Sequence, residues 1–471
     1  MTRLERLSAN DRMFLDVETD ESVMNVAACL VFEGASLRMA DGSLDRERIE
    51  KHLETNVARN RRYRQRLGRS PIAGRVIWVD VSRFDARDHI RHHTLVLGGQ
   101  SLGDVASNFA AERFDRDLPL WGVLVVDGLP DGRFAIVVKA HHCLADGVGG
   151  IELLESLLTP RNTRVPRHPD RSTPRNVVAD EILDELDMVG RALALATDWV
   201  RSPLERAKSI QPAVQAFGEL TSLGIRPAQT TFLDGENSSS RSLLTVETDL
   251  DRISAILRAR GGTVNDVVIA TVALALGRYL ASHGTSRREM AGATFRIAIP
   301  VNARPDSNAA GMGNDITMMF AEIPVGDADV LRVLDRTRES IAAAKDGKLP
   351  RALRALLDAG GLLPSPVVRS VERWVLSRHP ANIVLTNVRG PRAQLSLLDA
   401  PLERVIPIVP LMPGQALAIA VASYAGRLFW GLHADAARID DLDDWKRDVE
   451  QSFEDLWRAA TAAAERDRNR S

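Results

Sequence analysis

Cysteine is scarce. Two residues in 471, Cys29 and Cys143, cannot build a disulfide framework or a four-cysteine zinc site, which excludes the cross-linked secreted classes and fits a reducing cytoplasm. A charge excess of one sign is also missing. Lys+Arg 61 against Asp+Glu 63 leaves a formal net charge of -2, so no overall positive field exists to hold nucleic acid or to draw the whole molecule onto an anionic membrane. Nor is there a long hydrophobic run: the longest, Val267 to Leu276 within NDVVIATVALALGRYL, falls well short of the ~20 residues that span a bilayer. The N-terminus, MTRLERLSANDRMF, scatters charges where a secretory signal needs an apolar stretch of about 7–15 residues. The expectation is a cytoplasmic protein that meets a membrane or lipid droplet only peripherally. Metal-binding patterns are lacking as well, since no HExxH or paired-cysteine spacing occurs, so no metal is expected.

What is present reads as a globular enzyme. The apolar fraction is 45%, and the length exceeds the ~250–300 residues at which a single core stops growing, so two domains are expected. Strand-like stretches such as VAACLVFEG (26–34), GRVIWVDV (74–81) and WGVLVVDG (121–128) alternate with helix-like ones such as LDRERIEKHLETNV (44–57). WGVLVVDG and FAIVVKA flank the turn-rich DGLPDG, which predicts a hairpin. From Thr159 to Arg175 the chain becomes rich in proline and arginine and reads as a surface linker. An amphipathic segment, DEILDELDMVGRALALATDWV (180–200), and a polar loop, DGENSSSR, follow. A second α/β series then ends in a hairpin turning at Ala425-Gly426. The boundaries expected are 1–160, 161–240 and 241–471. No short-period repeat accompanies them.

The chemistry concentrates in HHCLADGVGG, residues 141–150, where a strand ends and a helix is predicted to begin. Glycines there let the chain turn tightly, and a histidine near its ordinary pKa of about 6.5 suits removal of a proton from a hydroxyl. Asp146, four residues past His142, is close enough in sequence to orient that imidazole or to anchor the loop. Neighbouring strand side chains point to opposite faces, so His141 and His142 cannot both serve one site, and a metal pair is disfavoured. A second pair, in HHTLVLGG (92–99), has glycines but no aspartate and serves as a control.

HHCLADG has the H-H-x-x-x-D-G pattern of the CoA-dependent acyltransferase superfamily. Along nearly its whole length the chain resembles the bacterial wax ester synthase/diacylglycerol acyltransferase family. LSANDRMFLDVET (7–19), RDLPLW (116–121), TVNDVVIA (263–270), IPVNARPD (299–306), GMGN (311–314), TNVRGP (386–391) and SYAGRL (423–428) fall in that family's order. There are departures. Met24-Asn25-Val26 stands where Met-His-Val is commoner, TNVRGP replaces a commoner SNVPGP, and IPVNARPD differs from a segment usually closer to PVSLR. None changes the histidine pair itself.

The resemblance implies an α/β fold of two chloramphenicol-acetyltransferase-like domains, each a mixed sheet flanked by helices, with a tunnel between them. It implies O-acyl transfer from acyl-CoA, used as a substrate with no bound cofactor, to diacylglycerol or a long-chain alcohol. His142 is then the general base, with His141 and Asp146 completing the motif. Gly147, Asn265 and Asp266 would line the substrate channel, while Pro119 and Trp121 would be structural. Arg304 would hold Asp146, with an Asp146 oxygen within about 4 Å of its guanidinium. Thr263 and Asp266 also read as a helix-capping box, with aspartate in place of the usual Glu or Gln. Two rival readings stay open: an amide-forming condensation enzyme acting on carrier-bound substrates, and a non-catalytic lipid-binding relative. The amphipathic segment 180–200 is one candidate point of lipid contact, and an ordinary core-facing helix is the other reading of the same pattern.

Overall fold

The structure, a computed structural model, describes residues 5, 7–57, 60–70, 76–144, 158–160, 228, 231, 233–290, 294–302, 316–346 and 379–468. Fifteen strands are seen among these residues: β1 (Asn25–Phe32), β2 (Gln65–Arg69), β3 (Val76–Asp80), β4 (Ile90–Thr94), β5 (Trp121–Asp127), β6 (Phe134–His141), β7 (Thr159–Pro160), β8 (Arg241–Asp249), β9 (Thr294–Asn302), β10 (Ile316–Pro324), β11 (Ile383–Arg389), β12 (Leu395–Leu397), β13 (Ala400–Ile408), β14 (Leu417–Tyr424) and β15 (Arg427–Asp435). One mixed sheet has the order β4-β5-β6-β1-β13-β12-β7, a second has β10-β9-β11-β14-β15-β8, and β2 pairs with β3 alone.

The α-helices among these residues are α1 (Ala9–Val17), α2 (Arg46–Val57), α3 (Leu102–Ala111), α4 (Leu250–Arg260), α5 (Val264–Ser282), α6 (Arg287–Met290), α7 (Val330–Asp346) and α8 (Leu442–Arg468). Two mixed sheets with flanking helices give the α/β class that the sequence implies.

The predicted hairpin forms. β5 and β6 pair antiparallel from Trp121↔Ala140 to Val126↔Ala135. Their connection turns through Asp131 and Gly132, both at positive φ, the first tolerated by a short polar side chain and the second by the absence of one. Every residue of β6 is buried, because α3 and its apolar partners cover one face while Phe32, Trp121 and Phe429 lie in the cluster on the other. β1 runs beside β6, with Asn25 opposite His141, and carries β13 on its other edge. β12 and β13 therefore reach the first sheet from the region expected to form the second unit. Alternation marks them as strands; it does not say which sheet receives them.

The sheets meet where β13 crosses β15. Pro407 of β13 presents its carbonyl oxygen to Gly431, where a Cβ would overlap it. In the second unit α5 is capped as its sequence predicts: the Asp266 amide donates to Thr263 Oγ1 (3.3 Å) and the Thr263 amide donates to Asp266 Oδ2 (2.7 Å). α5 is 19 residues long and apolar enough to cross a membrane, yet Val267–Ala273, Ala275 and Leu276 are buried within a core shared with α7 and α8. It is a core helix.

Candidate active site

β6 ends at His141, and two flanking segments pin the turn that follows. The His141 amide donates to Leu120 O (2.9 Å), just before Trp121, and the His142 amide donates to Met24 O (2.8 Å), just before β1. The Leu144 amide closes the turn on His141 O (2.8 Å). Strand alternation then separates the histidines. His141 is 2% exposed, whereas His142 is only partly buried.

His141 is occupied structurally. Its Nδ1 accepts the Cys143 amide (3.1 Å), so the ring proton belongs on Nε2, which lies 3.4 Å from Glu18 Oε1. The ring of His142 stacks on Phe14 with centroids 3.7 Å apart and planes 9° from parallel. Phe14 is on α1 and Glu18 caps its C-terminus. Motif reading does not single out either residue. Their only sequence signal is LSANDRMFLDVET, in which they stand four apart and so share a helix face.

The Glu18 side chain is 4% exposed. Its Oε2 accepts Arg116 Nη2 (2.8 Å) and Arg113 Nη2 (3.3 Å), and its Oε1 accepts the Met24 amide (3.4 Å). Burial alone would raise this carboxyl, but the contact with His141 and the bonds from Arg116 and Arg113 hold it down at about 2. A pKa depressed in the folded state gives stability that is present above the ordinary value of 4.5 and is lost as pH falls toward 2. Glu18→Gln should therefore cost about 3 kcal/mol near neutral pH. In urea titrations the gap between variant and wild type should narrow below pH 4.5; a gap independent of pH would contradict this.

Cys143 is 3% exposed. Burial, with the charges of Asp11 and Glu18, raises its thiol well above the ordinary value, so it stays protonated at neutral pH and is a poor nucleophile.

Asn25, the residue that departs from Met-His-Val, is 2% exposed. Its Nδ2 donates to Ala110 O (2.8 Å) and Glu112 O (2.9 Å) at the end of α3, two bonds that a single imidazole nitrogen cannot supply together. Lys139 joins the same carbonyl of Glu112 (3.0 Å) and lies over the rings of Phe109 and Phe114, with burial pushing its amine down to about 8. Asn25→Ala should cost about 2 kcal/mol in thermal or urea unfolding by leaving Ala110 O without its donor. An unchanged stability would show that water replaces the amide.

The other site residues divide in two. Trp121 is 1% exposed, donates Nε1–H to Tyr63 O (2.8 Å) and stacks on His89 (4.4 Å, 18°), so it is a core residue, with buried Pro119 accepting its amide (2.9 Å). With the second sheet, Asp266 serves the α5 cap, and Asn265 Oδ1 accepts from Asn387 Nδ2 (2.8 Å) on β11. That bond ties TVNDVVIA to TNVRGP, a pairing that the two motifs read separately do not announce. Asp146, Gly147, Arg304, and the segment 180–200 lie outside the described residues. Among the described residues, no group of three His, Cys, Asp or Glu side chains is placed to hold a metal ion.

Comparison with known proteins covers nearly all of the chain. Residues 7–268 match the wax ester synthase/diacylglycerol acyltransferase catalytic domain, and residues 312–457 match the WS/DGAT C-terminal domain. A probable diacylglycerol O-acyltransferase of Mycobacterium tuberculosis is 28% identical over 478 residues, covering 97% of this chain and 99% of its own. A putative one from the same species is 27% identical over 449 residues, covering 93% and 87%. Among solved structures, the wax ester synthase/diacylglycerol acyltransferase from Marinobacter aquaeolei VT8 has a TM-score of 0.69 at 22% identity, with 97% and 99% of the two chains covered. The first condensation domain of the calcium-dependent antibiotic synthetase shares the fold at a TM-score of 0.59 and 16% identity, with coverage of 98% and 97%.

Proposed function

The chain belongs to the wax ester synthase/diacylglycerol acyltransferase family, and we propose that it moves the acyl group of acyl-CoA to the hydroxyl of diacylglycerol, and also to that of a long-chain alcohol, with His142 as general base. Among the described residues of the motif, His141, Cys143 and Leu144 are buried and His142 alone is partly exposed; that observation carries the assignment. The acceptor oxygen attacks the thioester carbonyl carbon while His142 takes the hydroxyl proton. The C–S bond then breaks, and the proton passes to the departing sulfur to give free coenzyme A and an ester. No acyl-enzyme is needed, which agrees with a Cys143 thiol that burial keeps protonated.

The two substrates would meet at His142 in a tunnel between the domains. Asn265 and Asn387 would shape the wall on the side of the second sheet, and Asp146 paired with Arg304 would anchor the motif loop. Because both acceptors are insoluble, the enzyme would work in the cytoplasm against a membrane or lipid-droplet surface, held peripherally. Condensation chemistry is the weaker reading: its likeness is one of fold, whereas the catalytic-domain match to acyl-CoA-dependent enzymes spans the histidine motif.

Labelled palmitoyl-CoA supplied with diacylglycerol, hexadecanol and short alcohols tests the proposal by thin-layer chromatography. Label should enter triacylglycerol, with a second band of wax ester from hexadecanol. Label that stays in palmitoyl-CoA, or leaves only as fatty acid with every acceptor, would reject it.

A further inference from the structure

We propose that α1 is a positioning element for the histidine pair, with Phe14 setting the plane of the His142 ring and Glu18 lying against His141. The inference rests on His142 being the base. Phe14 and Glu18 stand four residues apart at the end of one helix, so a single rigid element reaches both rings. The start of that helix is fixed by a reciprocal cap, in which the Asp11 amide donates to Ser8 Oγ (3.0 Å) and the Ser8 amide to Asp11 Oδ2 (3.3 Å). Its end is fixed by Arg113 and Arg116, which grip Glu18 from the segment leading into Pro119-Leu120-Trp121.

The contacts form a closed circuit. Glu18 Oε1 accepts the amide of Met24, and Met24 O accepts the amide of His142, whose ring returns to Phe14 on the same helix. His142 is thereby held at its backbone and at its ring by one stretch of chain. Proton removal from an attacking hydroxyl requires a ring nitrogen on the line of that O–H bond, and rotation of the imidazole about its χ2 axis would carry the nitrogen off it. A phenyl face 3.7 Å away and 9° from parallel opposes that rotation. Carbon and hydrogen alone, it offers nothing that competes for the acceptor's proton. Phe14 and Glu18 thus act through the histidines, and the reacting atoms are not theirs.

Phe14→Leu keeps the apolar volume and removes the flat face; Phe14→Tyr keeps the face. In the purified full chain, Phe14→Leu should lower kcat by ~10–100-fold while KM for palmitoyl-CoA and for diacylglycerol stays within about twofold, and Phe14→Tyr should stay near wild type. Circular-dichroism melts accompany both, and Phe14→Met takes the place of the leucine variant if that one melts early. His142→Ala run in parallel separates the two levels. If it is inactive while folded Phe14→Leu keeps the wild-type kcat, the positioning role is wrong and the base stands. If His142→Ala remains active, the base assignment is the part that fails. Equal losses in the tyrosine and leucine variants would also overturn the proposal, because one of them retains the ring.

Discussion

His142→Ala is expected to lower kcat by ~10²–10⁴-fold with the fold intact, the range that a positioned general base contributes. The structure explains why the two effects separate. The His142 amide bond to Met24 O belongs to the backbone and survives the substitution, and the Leu144 amide still closes the turn on His141 O. What disappears is a partly exposed ring and its stack on Phe14, an aromatic pair worth about 0.5–1.5 kcal/mol. Steady-state rates with purified substrates, set beside a thermal melt, check both halves. A variant that turns over near the wild-type rate would remove His142 from the mechanism.

The largest expected effect on stability belongs to Gly431→Ala. Gly431 sits in the middle of β15, paired with Ala420 of β14 on one side and Thr245 of β8 on the other. A Cβ there would overlap the backbone oxygen of Pro407, and Pro407 is held in turn against Ala28 of β1. Neither backbone can retreat without breaking a ladder, so the added methyl should cost about 3 kcal/mol or more. Urea unfolding would measure it. The loss should carry activity with it, since β13 joins the second sheet to β1, and β1 flanks the histidine turn. An alanine variant as stable as wild type would mean that the two sheets part more easily than their packing indicates.

What was legible in the sequence was local. The β5–β6 hairpin shows in two continuous apolar runs around DGLPDG, and the α5 cap shows in Thr263 and Asp266 three residues apart. Trp121 as a core residue follows from its place at the start of a buried strand. The separation of His141 from His142 follows from strand alternation. What escaped depends on contacts between distant segments. The entry of β12 and β13 into the first sheet joins Ala400–Ile408 to Asn25–Phe32, and no pattern within either strand encodes that choice. Phe14 and Glu18 lie more than a hundred residues before the motif they support, within a stretch whose family likeness is visible but whose purpose is not. Asn25 reads as a departure from a family pattern, and only the end of α3 beside it explains two donors from one nitrogen. Asn265 and Asn387 were each legible as part of a motif; the bond between them was not.

Direct transfer without an acyl-enzyme is the claim on which the mechanism turns, and a single-turnover experiment reaches it. Enzyme in excess over labelled palmitoyl-CoA is quenched on the millisecond-to-second scale, first alone and then after addition of diacylglycerol, with free coenzyme A, protein-bound label and triacylglycerol measured in each sample. Direct transfer requires no protein-bound label and no burst of coenzyme A until diacylglycerol is added, then coenzyme A and triacylglycerol appearing together in equal amounts. A burst of coenzyme A with label retained on the denatured protein before any acceptor is present would contradict it.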